Sequence, residues 1–257
     1  MNSIVFRGIP NDHFEEIIFA ARSWHDGEII LSTWNDVEVD ESLVDLVVRD
    51  EDPGPVLNIL NPSLIHAHRQ ILAAYNGVLA SKGKKVLLTR ADIIHRKDIF
   101  NFVVPRKNEK TFNKIFDHKI VCGNMMTFDP DTNYGQPRER YYRVSDWFQC
   151  GYREDVFKFV DVKYEIERYK HSGCCLEQLW LISALNKHTD FVIEPLKLDA
   201  WLTIVNESWK TILTNFKIID TRSTAAADNY RWLHKSEYYS CYMTENKYET
   251  KRKEMGY

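Results

Sequence analysis

Val86-Leu87-Leu88 is an apolar run that stops abruptly at Thr89-Arg90-Ala91-Asp92, after which apolar residues resume at Ile93-Ile94. An uninterrupted apolar strand has no polar face to show to water, so it belongs inside a sheet covered on both sides, as in α/β proteins. Polar and charged residues at the C-terminal end of such a strand fall where open α/β sheets hold their ligands. An Arg and an Asp two positions apart suit a phosphate and a divalent cation respectively. The same residues also read as a solvated strand end carrying a surface ion pair.

The elements around this run repeat the α/β pattern. Ser3-Ile4-Val5-Phe6 reads as a first strand closed by Arg7-Gly8-Ile9-Pro10, and a helix follows with Asp12 as N-cap and Glu15 three residues on. Phe14, Ile17, Ile18 and Ala21 give that helix one apolar face. Residues 28–34 form a second strand, 43–48 a third, 63–82 a helix, and the run at 86–88 a fourth strand. Strands alternating with helices predict an α/β sheet.

Beyond residue 100 the pattern loosens. Residues 119–122 and 125–128 read as strands, 129–143 as a polar loop with Arg138, Arg140 and Arg143, and the stretch from Gly151 to Val160 as a short helix. Residues 177–187 read as a helix and 191–193 as a late strand, and the polar tail reads as surface helix or loop.

The chain's 257 residues suffice for a large core, and 44% hydrophobic content with 13% aromatics is globular. A net charge of −3 argues against a surface that is wholly a nucleic-acid footprint, while leaving room for a local basic groove. Five scattered cysteines without a Cys-x-x-Cys pair fit reduced thiols, Cys174-Cys175 included, and give no zinc spacing. No transmembrane segment or signal peptide is apparent, so a cytoplasmic location is expected, in a bacterial cell or a phage-infected host.

Several ordered blocks resemble the WavE-type lipopolysaccharide-synthesis glycosyltransferases, which belong with the GT-A nucleotide-sugar transferases. They are Val5-Phe6-Arg7-Gly8-Ile9-Pro10, Glu28-Ile29-Ile30-Leu31-Ser32-Thr33-Trp34, Asp50-Glu51-Asp52-Pro53-Gly54, Arg69-Gln70-Ile71 with Asn76-Gly77, and Leu88-Thr89-Arg90-Ala91-Asp92. Ser145-Asp146-Trp147-Phe148-Gln149-Cys150-Gly151, Glu154-Asp155 and Glu177-Gln178-Leu179 complete the series. The resemblance implies a GT-A type fold, a Rossmann-like mixed sheet flanked by helices. It implies a single domain over 1–257, with a nucleotide-binding half to about residue 100 and an acceptor-side half and tail beyond it. The donor would be a nucleotide sugar, expected to be UDP-linked, and the acceptor a hydroxyl.

GT-A enzymes usually place Asp-x-Asp at the end of the fourth strand to hold Mn²⁺ or Mg²⁺ against the diphosphate. Here Arg90 replaces the first carboxylate and Asp92 keeps the second. Either Asp92 holds the metal with substrate and water ligands, or Arg90 supplies part of the neutralising charge. The resemblance also makes His234 a candidate metal ligand, and Gly8, Pro10, Trp34, Asp52, Arg69 and Arg90 candidates for donor binding. Gly8 and Pro10 equally fit an ordinary strand-to-helix turn, and Arg69 a solvated helix face. Asp146 and Glu177 compete as catalytic base. Asp146 has aromatic neighbours that would raise its pKa, though it also suits a helix N-cap; Glu177 also suits a helix start.

Three readings stay open, two of them differing in the acceptor. The first is a bacterial surface glycan, lipopolysaccharide or capsule. The second is hydroxymethylated phage DNA, receiving arabinose or glucose on 5-hydroxymethylcytosine, with Lys82-Lys84-Lys85, Arg138-Arg140-Arg143 and Lys251-Arg252-Lys253 as phosphate contacts. The third is a non-catalytic protein that binds a nucleotide sugar and has lost turnover.

Overall fold

A computed structural model of the chain describes residues 1–57, 64–106, 109–124, 127, 129–131, 141–162, 175–193, 204–221, 225–226 and 243–257. Strand β1 (Ser3–Arg7), helix α1 (Phe14–Arg22), β2 (Glu28–Trp34) and β3 (Leu46–Asp50) open the chain. A short antiparallel ribbon, β4 (Val56–Leu57) with β5 (Leu64–Ile65), leads into α2 (Ala67–Ala80) and β6 (Lys85–Arg90). Then come β7 (Ile94–His95), β8 (Ile120–Gly123), β9 (Phe148–Tyr152), α3 (Arg153–Val160), α4 (Leu176–His188), α5 (Ile204–Asn215), β10 (Phe216–Ile219), β11 (Ala225–Ala226) and α6 (Glu245–Glu254).

Seven strands form one sheet in the order β10-β8-β9-β6-β1-β2-β3. All neighbours run parallel except β9, which is antiparallel to both β6 and β8, so the sheet is mixed. β7 and β11 pair separately. The α/β, Rossmann-like architecture expected from the sequence is therefore present.

Side-chain alternation along the strands builds a core on each face. Val5, Ile30, Val86 and Leu88 face α2, α3, α4 and α5, where Ile71, Val78, Phe159, Trp180 and Trp209 close the layer. Ile4, Phe6, Ile29, Leu31 and Leu87 face α1 through Phe14, Ile17, Ile18 and Ala21. The apolar run Val86-Leu87-Leu88 is thus buried on both sides, at roughly 1.5–3 kcal/mol of transfer free energy per large side chain. Helix α2 lies close against the sheet: a Cβ on Gly77 would stand 2.4 Å from Val5 Cγ1. Arg153 caps the end of α2, donating to Ser81 O at 2.7 Å and Leu79 O at 2.9 Å, a cation where the helix is electronegative.

The structure corrects several element boundaries. Asp12 is not the cap of α1. The helix begins at Phe14 behind His13, whose side chain makes no cap bond, because Asn11 takes the entry turn, accepting from His13 N at 3.1 Å and Phe14 N at 3.0 Å. The third strand begins at Leu46, since Leu43 ends a 3₁₀ turn (Glu41–Leu43) capped by Asp40. The second helix starts at Ala67 rather than Ser63, because Leu64 and Ile65 pair as β5. Residues 191–193 are not a strand: Asn186 clasps the backbone of Ile193, accepting from its N at 2.7 Å and donating to its O at 2.9 Å, in place of a ladder. The expected strand at 125–128 lies largely outside the described residues. The tail is not all surface: β10 is a sheet strand with Phe216, Ile218 and Ile219 buried. Among the described residues no helix is long and apolar enough to cross a membrane.

Candidate active site

β1 is the point where the sheet changes direction. From it the chain steps outward to β2 and β3, then returns through α2 to β6 on its other flank. Ligands of open α/β sheets bind in the crevice outside the strand ends at such a point. Both strands finish there with an arginine, and the register pairs Arg7 with Arg90.

Two neighbouring guanidiniums need partners. Arg90 Nε donates to Asp92 Oδ1 at 2.9 Å and Nη2 to Asp92 Oδ2 at 2.6 Å, a bidentate pair. Its Nη1 stands 3.7 Å from Asp146 Oδ2. Arg7, only 1% exposed, donates to the main-chain oxygen of Asp146 and lies 5.1 Å from the Trp180 ring centre, a cation–π contact. A tight turn brings Asp92 back over Arg90: Ala91 N donates to Arg7 O at 3.0 Å and Ile93 N to Arg90 O at 3.2 Å. His95 braces this turn from below, 2.8 Å from Thr89 Oγ1, which itself donates to Trp147 O. Burial pushes His95 down to about 3, so the ring is neutral.

Gly8 follows Arg7 with φ of +96°, a conformation that disfavours any side chain, and a Cβ there would meet nothing within 4 Å. Its backbone is fixed by donation to Ser32 O at 2.9 Å. The glycine is required by the backbone, and the space beside it is open.

The segment 141–147 brings in a second set of charges. Tyr142 has φ of +54° and donates from N to Ser208 Oγ at 2.9 Å, while Gln178 donates to Tyr141 O at 2.8 Å. Ser145 does not cap a helix; it receives Trp147 N at 3.2 Å in a turn that enters β9. Arg143 Nη2 then reaches Glu177 Oε1, in the first turn of α4, at 3.3 Å. Asp146 and Glu177 are each 7% exposed.

The two carboxylates are driven in opposite directions. Burial pushes Asp146 above the usual carboxylate range, against the pull of Arg90, Arg7 and Arg143, and the charge of Glu177 adds to the push. Burial acts upward on Glu177 too, but Arg143 and hydrogen bonds from its own amide and Cys175 hold it below the usual range.

The other candidates lie further along the strand ends. Asp52, just past β3, receives Arg69 in a two-point pair, with Nε at 2.7 Å, and receives Gly54 N at 2.9 Å; Arg69 holds Asp52 below the usual range. Asn76 donates to Asp50 at the end of β3. β3 stands three strand spacings from β6, roughly 14 Å, so the Arg69–Asp52 and Arg90–Asp92 pairs mark two ends of one strip. Trp34 is 2% exposed and belongs to the core, and Pro10 is partly exposed in the turn after Gly8. His234, Arg138 and Arg140 lie outside the described residues.

Arg7 and Trp180 are functional candidates that the sequence reading did not single out. The signal for Arg7 was that it closes the apolar run Ile-Val-Phe-Arg as Arg90 closes Leu-Leu-Thr-Arg; Trp180 had none.

Of the two candidate metal ligands, Asp92 is tied to Arg90 and His234 lies outside the described residues. Among the described residues no three His, Cys, Asp or Glu side chains converge, and both oxygens of Asp92 are engaged by Arg90. The guanidinium occupies the position against the carboxylate that a metal would need.

A family model described as WavE lipopolysaccharide synthesis matches residues 15–229. The match spans Arg90, Asp92, Asp146 and Glu177 and begins after Arg7. No curated protein matches the chain.

Proposed function

We propose, from the premise that the chain belongs to the WavE lipopolysaccharide synthesis family, that it transfers a sugar from a nucleotide-sugar donor to a hydroxyl of a bacterial surface glycan. The observation that carries the reading is the register pair Arg7–Arg90 at the switch point, set against Asp146. The diphosphate of the donor lies at Arg90, beside the open space at Gly8, and the nucleoside extends along the strand ends toward Asp52 and Arg69.

In this reaction the acceptor oxygen bonds to the anomeric carbon as the bond from that carbon to the diphosphate breaks. Negative charge builds on the departing phosphate oxygen, where a prepositioned guanidinium stabilises it more than it stabilises the bound donor. Arg90 meets that need, exchanging part of its pairing with Asp92 for the phosphate. The proton of the acceptor hydroxyl goes to Asp146, whose raised pKa brings it nearer to that of a working base. Glu177, held ionised by Arg143, is the poorer base and acts as a fixed negative charge. Arg7 positions Asp146 by gripping its main-chain oxygen. No step runs through a metal.

A glycan acceptor is favoured over hydroxymethylated DNA because each basic cluster has described members that are already engaged. Lys85 Nζ donates to Phe100 O and Val103 O, Lys251 pairs with Asp131 at 3.4 Å, and Arg252 pairs with Glu249 at 3.0 Å.

The test is a screen of nucleotide sugars, UDP-linked ones first, in EDTA, reading both thermal shift and release of nucleoside diphosphate with a glycan acceptor. One donor should bind and turn over, with Arg90→Gln lowering kcat/KM by about ten- to a hundredfold. A donor that binds without turnover would leave only the non-catalytic reading, and turnover that needs added Mn²⁺ would contradict the arginine assignment.

A further inference from the structure

A second charged cavity lies at the other end of the sheet. Because β9 is antiparallel to both its neighbours, β8 and β10 run in the direction of β1 and β6. Their starts therefore lie at the edge away from Arg7 and Arg90. There a cavity of about 230 Å³ opens between residues 102–106, Glu109, the beginnings of β8 and β10, and α6.

Its lining holds four cations, Arg106, Lys119, Lys217 and Arg252, and two carboxylates, Glu109 and Glu249. The carboxylates serve two of the cations. Lys119 Nζ is 2.7 Å from Glu109, and Arg252 is 3.8 Å from Glu109 and 3.0 Å from Glu249. The other two have no carboxylate partner among the described residues. Lys217, which the register sets beside Val121, donates only to Phe102 O at 3.4 Å and stands over the Phe102 ring. Arg106 donates to Asp117 O at 3.1 Å and Phe116 O at 3.2 Å, leaving its buried Nη1 without a hydrogen-bond partner.

Two cations without a direct carboxylate pair in a half-enclosed site favour an anion that completes them, even with Glu109, Asp117 and Asp155 acting on Arg106 from further off. A phosphate monoester carries close to two negative charges at neutral pH and three strong acceptor oxygens. The volume is below the range of about 300–1,000 Å³ for drug-sized ligands, so the occupant is small. Phe102, Val104 and Pro105 give its organic part an apolar wall.

We propose that this cavity is a second anion site, distinct from the strand-end crevice, that takes a small phosphate monoester. The inference does not depend on the glycosyl-transfer reading. The phosphate could belong to a soluble ester or to a lipid headgroup, and the experiment separates the two.

Inorganic phosphate and glycerol phosphate are titrated calorimetrically into the full chain, with chloride at matched ionic strength as control. Wild type and Arg90→Gln should bind alike, and Lys217→Met should bind about tenfold or more weakly. Arg252→Gln gives the same comparison should Lys217→Met melt early. Vesicles of phosphatidylcholine with phosphatidic acid are then sedimented with the protein. Co-sedimentation reversed by glycerol phosphate assigns a lipid headgroup, and intact titration without co-sedimentation assigns a soluble ester. Binding lost in Arg90→Gln but kept in Lys217→Met would place the phosphate in the crevice and overturn the proposal, as would binding no stronger than that of chloride.

Discussion

The two ends of the sheet treat positive charge differently. In the strand-end crevice Arg69 has Asp52, Arg90 has Asp92 and Asp146, and Arg143 has Glu177. In the distal cavity Lys119 and Arg252 are paired while Lys217 and Arg106 rest on carbonyls and a ring. A paired site can exchange partners when a ligand arrives, and its carboxylates remain available for proton transfer. An underpaired site can only capture an anion and hold it. Placement at the C-terminal ends of the strands, at the change of direction, supports the proposal of chemistry at the first arrangement and of anion binding at the second.

The comparison breaks most readily at Arg143. Its pair with Glu177 is nearly buried, so Arg143→Met strands a carboxylate and should cost about 3–5 kcal/mol in denaturant unfolding. Adding Glu177→Gln should recover part of that loss. A single variant as stable as wild type would show that the crevice charges are not coupled.

A smaller effect should appear in the pH profile. Asp146 must be ionised to accept a proton, and burial holds its pKa up, so kcat/KM should rise as pH climbs through that raised value. The charge of Glu177 helps keep Asp146 high. Glu177→Gln should therefore move the acid limb to lower pH, and a limb that stays put or moves upward would remove Asp146 from the role of base.

The smallest effect belongs to the distal cavity. Lys217→Met removes a charge that has no carboxylate opposite it among the described residues, so unfolding free energy should change by no more than about 1 kcal/mol in phosphate-free buffer. A loss as large as that at Arg143 would mean that Lys217 is a structural cation and the cavity no anion site.

Much of this was legible in the sequence where strand chemistry is local. The runs at 3–6, 28–34 and 86–88 declare buried parallel strands, and the polar ends at Arg90 and Asp92 fall at the edge where the strand order turns. Helix starts were less legible, because Asn11 outcompetes Asp12 and the ribbon pairing of Leu64 and Ile65 delays α2. β10 was hidden because Lys217 interrupts its apolar run, and its ladder partner Ile120–Gly123 lies almost a hundred residues earlier. The competition between Asp146 and Glu177 could not be decided from the chain alone. It turns on Arg143 reaching Glu177, and Arg7 and Arg90 reaching Asp146, across long stretches of sequence.

The most direct test is a paired measurement on Asp146→Asn: turnover of the nucleotide sugar at saturating donor, and donor affinity by calorimetry. Turnover should fall by about two to four orders of magnitude while the donor Kd stays within a few-fold of wild type. Turnover within tenfold of wild type, or a loss of affinity that accounts for the whole effect, would contradict Asp146 as the base.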